Sequence, residues 1–449
     1  MMKKNVLIIG AGGVAHVAAH KCAQHNDVLG DICIASRTQA KCNAIIESIR
    51  RKKSIKDRSK KLYVRELNAL NVPATARLIA ETNASIVMNL GPAFVNMPVL
   101  EACLETGATY MDTAIHEEPD KVCENPPWYA NYEWKRKDRC TQQGVNAILG
   151  IGFDPGVVNA YCALAVKHHF DTIDTIDILD VNVGNHGKFF ATNFDPEINF
   201  REFIKVWTWI DRQWVCKPCH SEKMVYDFPI VGNQTVYLNG HDELHSLSKN
   251  IDANSIRFWM GFSEHYINCF TVLKNIGLLS EKPVRTSEGL EVVPLKVVKA
   301  CLPDPKTLAP NYTGKTVIGC HIKGKKSTRN KEVFIYNVCD HKECYNEVES
   351  QAISYTAGVP PVAAAILVAN GTWNPRTMVN VEELDPDPFI ELLNGMGLPT
   401  ESRAIKPQRQ GAASGDAKPA KSSRKKKGAK SSGPALDQVT SVGAPLSLI

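Results

Sequence analysis

Gly10, Gly12 and Ala15 stand at the spacing G-x-G-x-x-A, with Gly13 and Val14 between them. A first glycine permits a tight turn and a second lets the backbone approach a pyrophosphate. A small third residue lets the following helix pack on its sheet, and the N-terminus of that helix receives the anion. The motif follows an apolar run at 6–9 and opens a small-residue helical stretch at 14–24. That strand–turn–helix context gives a dinucleotide fingerprint its force. A second strand, at 32–35, ends in Ser36-Arg37-Thr38, with none of the acids that hold a ribose 2′-hydroxyl. A guanidinium between two hydroxyls suits a 2′-phosphate, because Arg forks onto phosphate oxygens. The expected cofactor is therefore NADP(H), held by Gly10, Gly12, Gly13, Val14, Ser36, Arg37 and Thr38. Ser36 or Thr38 can equally be an ordinary helix N-cap, and both readings can hold together.

These residues need a scaffold. Strand-like runs at 85–90, 109–112 and 147–152 alternate with helical stretches that end at 50 and cover 98–106. The alternation predicts an α/β, Rossmann-type, doubly wound parallel sheet over residues 1–155. The basic segment 50–61 reads as a solvated loop or helix end. Asn89-Leu90-Gly91-Pro92, Tyr110-Met111-Asp112-Thr113 and Gly152-Phe153-Asp154-Pro155-Gly156 each end a strand, on the edge where open α/β sheets bind ligands. Asn89, Gly91, Thr113 and Gly156 are accordingly expected at the cofactor. Asp112 and Asp154 are the best-placed catalytic acids, and His116, four residues beyond Asp112, is the third catalytic candidate as an imidazole. For each, the alternative is a turn or capping residue.

The texture changes after residue 156. Residues 172–183 alternate Ile and Asp like a strand with one wet face, and aromatic-rich runs follow at 207–215, 225–228, 236–238, 258–262, 316–322 and 333–338. They predict a second α+β domain over 156–355 with a mixed or antiparallel sheet. Gly358-Val359-Pro360-Pro361 opens an Ala-rich helix, so residues 356–400 are expected to return as helices to the first domain. Residues 404–449 carry nine basic and two acidic residues, a disordered tail of charge +7 that leaves −1 on the rest. The basicity belongs to the tail, which predicts no nucleic-acid partner beyond weak, non-specific contact by that segment. The short apolar run after Met1-Met2-Lys3-Lys4-Asn5 does not make a signal peptide, and no apolar run approaches membrane-spanning length. A cytoplasmic protein with reduced thiols is expected despite 14 Cys.

Four patterns mimic other chemistry. Cys216-Lys217-Pro218-Cys219-His220 has the haem-attachment spacing but no export signal precedes it. No second C-x-x-C completes a zinc set with those thiols, Cys339 and Cys344. His241-Asp242-Glu243-Leu244-His245 places Asp where a metalloprotease needs Glu, so no metal site is expected. Residues 309–316 imitate a phosphate loop, but the prolines before them and β-branched residues after them remove the strand–loop–helix, leaving a turn.

Gly10-Ala11-Gly12-Gly13-Val14, Ser36-Arg37-Thr38, Tyr110-x-Asp112-Thr113, Gly152-x-x-Pro155-Gly156 and Tyr355-Thr356-Ala357-Gly358 together resemble the saccharopine dehydrogenase family, over residues 3 to about 400. Within that family, the runs at 152–159, 241–247, 294–297 and 312–316 are similar to members that make carboxylated polyamines; the basic tail is not part of the pattern. The resemblance implies a homodimer and an NADPH-dependent reductive condensation of aspartate β-semialdehyde with 1,3-diaminopropane or putrescine. The products would be carboxynorspermidine or carboxyspermidine. Such chemistry needs a carboxylate for the diamine's far ammonium, for which Asp242 and Glu243 are candidates. It also needs a cation for the amino-acid carboxylate, for which Arg201 and Lys296 are candidates. A saccharopine reductase, taking glutamate as the amine, would need a more cationic cleft. A catalytically silent NADP-binding scaffold is the other alternative.

Overall fold

The computed structural model describes residues 4–118, 124–201 and 206–405. The expected disordered tail, apart from its first two residues, lies outside them. Six parallel strands form most of the first sheet: β1 (Asn5–Ile9), β2 (Ile32–Ser36), β3 (Leu62–Glu66), β4 (Ala84–Asn89), β5 (Thr109–Asp112) and β6 (Ala147–Leu149). Their spatial order is β6-β5-β4-β1-β2-β3, and a seventh strand, Met378–Asn380, joins in parallel beside β6. Two of these strands were not read from the sequence. β3 is only half-buried at the sheet's edge, which strips it of a continuous apolar run. Met378–Asn380 is three residues long, too short to show a period.

The central strands are buried throughout, because helices cover both faces. The helix Gly13–Gln24 is buried almost all round, His16, His20 and Lys21 included. His20 is held by Ser48 and Ser54, and the other two are satisfied by residues more than 300 positions away: His16 Nε2 meets the Val348 carbonyl at 2.7 Å, and the Lys21 ammonium pairs with Glu347 and donates to the Met396 carbonyl. The C-terminal segment thus returns to the first domain. An added Cβ at Gly358 would lie 2.7 Å from the Val14 carbonyl oxygen, so this glycine lets the two helices touch. The continuous helical stretch Ala352–Asn370 has the length and apolarity of a membrane span, yet 83% of it is buried inside the protein, as a core helix.

The second sheet has nine strands and is mixed. Thr172–Asn185 and Ala253–Gly261 pair in parallel at its centre, with antiparallel neighbours on both sides. The wet face expected along 172–183 holds at Asp174, which is exposed, and fails at Asp177, which is buried. Arg257 forks onto the Asp177 carboxylate at 2.7 and 2.8 Å, and Trp259 Nε1 donates to it at 2.8 Å. Residues 207–215 form a hairpin, Val206–Ile210 with Gln213–Lys217, where a single strand was expected. Asp211 and Arg212 make its turn at positive φ.

Candidate active site

The glycine loop fits a dinucleotide. Gly10, at φ +122°, brings its backbone against β4, and a Cβ there would lie 2.5 Å from the Leu90 carbonyl oxygen. A Cβ on Gly13 would collide with Ser354, whereas one on Gly12 would meet nothing within 4 Å. The backbone at Gly12 is therefore open to an approaching phosphate. Val14 is half-buried and packs against the core. At the end of β2, the Ser36 hydroxyl accepts the Thr38 N–H at 3.2 Å, and Thr38 occupies the N-cap of Gln39–Arg51 with no side-chain cap bond. The Arg37 side chain is exposed beside them.

Asn89 and Gly91 shape the loop after β4. The buried Asn89 amide donates to Asn96 Oδ1 at 2.7 Å, and Asn96 donates to the Ala114 carbonyl at 2.7 Å, so the ends of β4 and β5 are tied together. Gly156, at φ +135°, folds the chain back on Gly152, and Thr113 packs over Gly152. Asp154 is half-buried in that turn.

Asp112 is 1% exposed and both its oxygens are engaged. The Gly150 N–H donates to Oδ1 at 2.7 Å and the Tyr110 hydroxyl to Oδ2 at 2.8 Å. This carboxyl locks β5 to the end of β6, which makes it a positioning residue. Burial pushes it up to about 7, against its two hydrogen bonds. A carboxyl whose folded pKa is raised contributes stability below its unfolded pKa and loses it as pH climbs through the folded value. Between about pH 4 and 7, stability should fall by a few kcal/mol on this account. Asp112→Asn can keep both bonds, and it should remove that slope and match or exceed the parent's melting temperature at pH 8, as scanning calorimetry across pH would show.

His116 is buried, with Nδ1 3.0 Å from the Ala93 carbonyl and its backbone N–H donating to Glu133 at 2.6 Å. Its ring meets the Tyr132 edge at 4.7 Å. Arg201 is buried as well, and its charge is committed to Glu117 and Glu281, each at 2.8 Å. It has no spare charge for a substrate carboxylate, which corrects that expectation. Lys296 is exposed on the helix Pro294–Cys301.

The second domain delivers a different set. The loop after the strand Gly232–Asn239 carries His241, Asp242 and Glu243 over the carboxyl end of β5. Asp242 Oδ2 accepts the Ile115 N–H at 2.7 Å. His241 Nδ1 lies 2.5 Å from Glu243 Oε2, with its ring stacked 4.1 Å above Phe258. Glu243 is fully buried, and its other oxygen has no hydrogen-bond partner. Two more carboxyls, Asp180 and Glu133, are raised chiefly by burial, and each carries one oxygen without a partner. Burial pushes Asp242 up to about 6, opposed by His241. The loop is pinned by His245, stacked between Trp128 and Trp214 and accepting the Trp128 N–H at 3.1 Å. No group of three or more metal-ligating side chains occurs among the described residues.

The sequence reading placed Asp242 and Glu243 as amine holders but passed over His241, Asp180 and Glu133. A histidine followed by two acids just past a strand was the available signal for His241. Asp180 and Glu133 have none, since only tertiary packing turns them toward the same space.

The Saccharopine dehydrogenase NADP binding domain matches residues 6–148, and the Saccharopine dehydrogenase C-terminal domain matches 152–398. The chain is 47% identical over 403 residues to a carboxynorspermidine synthase of Vibrio alginolyticus, covering 90% of this chain and 97% of that one. It is 43% identical over 403 residues to a carboxyaminopropylagmatine dehydrogenase of Synechocystis, covering 88% and 96%. Apo saccharopine dehydrogenase (L-Glu forming) from Saccharomyces cerevisiae superposes with a TM-score of 0.62 at 13% identity, covering 90% of this chain and 100% of that chain.

Proposed function

The chain belongs to the saccharopine dehydrogenase family, as an NADP-dependent oxidoreductase acting on a carbon–nitrogen bond, and we propose that it joins L-aspartate β-semialdehyde to a diamine by reductive condensation. The amine is 1,3-diaminopropane or putrescine, and the product carboxynorspermidine or carboxyspermidine, made in polyamine biosynthesis. One observation carries this choice: the substrate side of the site is acidic. Asp242 and Glu243 stand there beside His241, while the buried cation Arg201 is already paired with two carboxylates. A diamine's ammonium is attracted by such a field, and a second dicarboxylic amino acid, as in a saccharopine reductase, is repelled.

Bound NADPH supplies the hydride that reduces the imine carbon. The protein's own tasks are to hold the amine, orient it and move protons. In this reading Asp242 pairs with the far ammonium. His241 takes a proton from the attacking amine and returns one to the carbinolamine as water leaves. Glu243 orients the imidazole through Nδ1 and stabilises its charged form. Asp112 and Asn89 keep the strand ends in register beneath. The same reading describes a cytoplasmic homodimer, which light scattering on the purified protein tests.

The functional test is NADPH oxidation with aspartate β-semialdehyde and, in turn, 1,3-diaminopropane, putrescine, agmatine and glutamate. Turnover with a diamine and none with glutamate is expected. Turnover with glutamate alone would replace this reading with the saccharopine type, and agmatine alone would move it toward the Synechocystis relative. Silence with every amine, if NADPH binds, would leave a scaffold.

A further inference from the structure

The segment Pro305–Asn311 belongs to the second domain, yet its Lys306 reaches the nucleotide loop of the first. Lys306 Nζ donates to the Ala11 carbonyl at 3.3 Å, across 295 residues of chain. Asp304 fixes the start of the segment by accepting the Lys306 backbone N–H at 3.0 Å. The side chain is half-buried, and the groups that act on it electrostatically include Asp304, Lys41, Cys42 and His16. Lys41 lies in the first turn of Gln39–Arg51, and the Cys42 thiol is 3.2 Å from the Ser36 hydroxyl. The ammonium is thus bonded to the glycine loop at Ala11 and acted on by Lys41 and Cys42 of the helix that follows β2. Lys41 and Lys306 repel one another, and Asp304 opposes them as the carboxylate that acts on Lys306; Arg37, next to Ser36 at the end of β2, is exposed.

We propose that Lys306 is a cofactor-binding residue contributed by the substrate domain, which completes with Ser36, Arg37 and Lys41 the cationic seat of the 2′-phosphate of NADP(H). The assignment rests on the family's use of NADP(H) and extends it: the preference for a 2′-phosphorylated dinucleotide is shared between both domains. An ammonium is suited to this position as a movable point charge, while Arg37 supplies the planar fork. One of its three N–H groups holds Ala11, and the others remain for phosphate oxygens.

Equilibrium titration of the full chain with NADPH, NADH and 2′,5′-ADP, followed by nucleotide fluorescence or calorimetry, tests this. Lys306→Met should weaken NADPH and 2′,5′-ADP about tenfold or more and NADH less than about twofold, since one charge-assisted contact to phosphate is removed. Lys306→Arg should restore most of the NADPH affinity. An unchanged melting temperature is expected, because the side chain is half-exposed and holds one carbonyl. Equal weakening of NADPH and NADH would overturn the assignment in favour of the pyrophosphate. Unchanged binding of all three ligands would overturn it outright. If the wild-type protein itself fails to prefer NADPH, the cofactor reading beneath it falls; in the other failures that preference survives intact.

Discussion

Replacing His241 with asparagine is expected to lower kcat by about 10²- to 10⁴-fold while NADPH binds as before. The condensation moves protons twice, out of the attacking ammonium and onto the departing hydroxyl. His241 is carried on the loop that Asp242 ties to Ile115, past the carboxyl end of β5, and a fully buried carboxylate holds its Nδ1 at 2.5 Å. Asparagine can keep a hydrogen bond to Glu243 but cannot carry a proton. Glu243→Gln separates positioning from chemistry. It preserves the bond and removes the charge, so the imidazolium loses its stabilising neighbour and the acidic limb of kcat/KM should move to lower pH. A merely structural Glu243 would change the melting temperature without moving that limb. Near-normal kcat in His241→Asn would remove His241 from the mechanism.

Asp242→Asn should raise the KM for the diamine about 10- to 100-fold, with the KM for the semialdehyde and the affinity for NADPH little changed. Asparagine can still accept the Ile115 N–H, so the loop keeps its place and only the charge is lost. Truncating one partner of a desolvated ion pair costs about 2–5 kcal/mol, and the estimate above takes the low end because Asp242 is only partly enclosed. The pH dependence has a definite sign. Burial holds the Asp242 carboxyl up at about 6, and only its anion attracts an ammonium. The kcat/KM for the amine should therefore fall as pH drops through about 6, and Asp242→Asn should lack that limb. An amine KM unchanged by the substitution would place the ammonium elsewhere.

The first domain was legible because its signals are local. Gly10, Gly12 and Ala15 encode a turn and a close approach within six residues, and the strand ends at Asn89 and Asp112 follow apolar runs; the third strand stops at Leu149, short of the expected Gly152, where the chain turns at Gly150 with positive φ. Ser36-Arg37-Thr38 stands where an acid would hold a ribose 2′-hydroxyl, and the matching family model is that of an NADP binding domain. Roles that depend on what surrounds a side chain were not legible. Asp112 reads as an available acid but is sealed between Gly150 and Tyr110, and Arg201 reads as a free cation but is neutralised by Glu117 and Glu281. In each case the partner lies on another element, and desolvation reverses what an exposed charge would do.

Residue type and short-range spacing thus determined the nucleotide fold, its phosphate loop and the acids of the 241–243 loop. Tertiary structure alone decided which charges remain available. It paired Arg201, buried Asp112, brought Asp180 toward Glu243 and Glu133 toward Asp242, and carried Lys306 across 295 residues to Ala11. The physical reason is that backbone conformation is set by neighbours along the chain, whereas the strength of a charge is set by the dielectric and the partners that folding assembles around it.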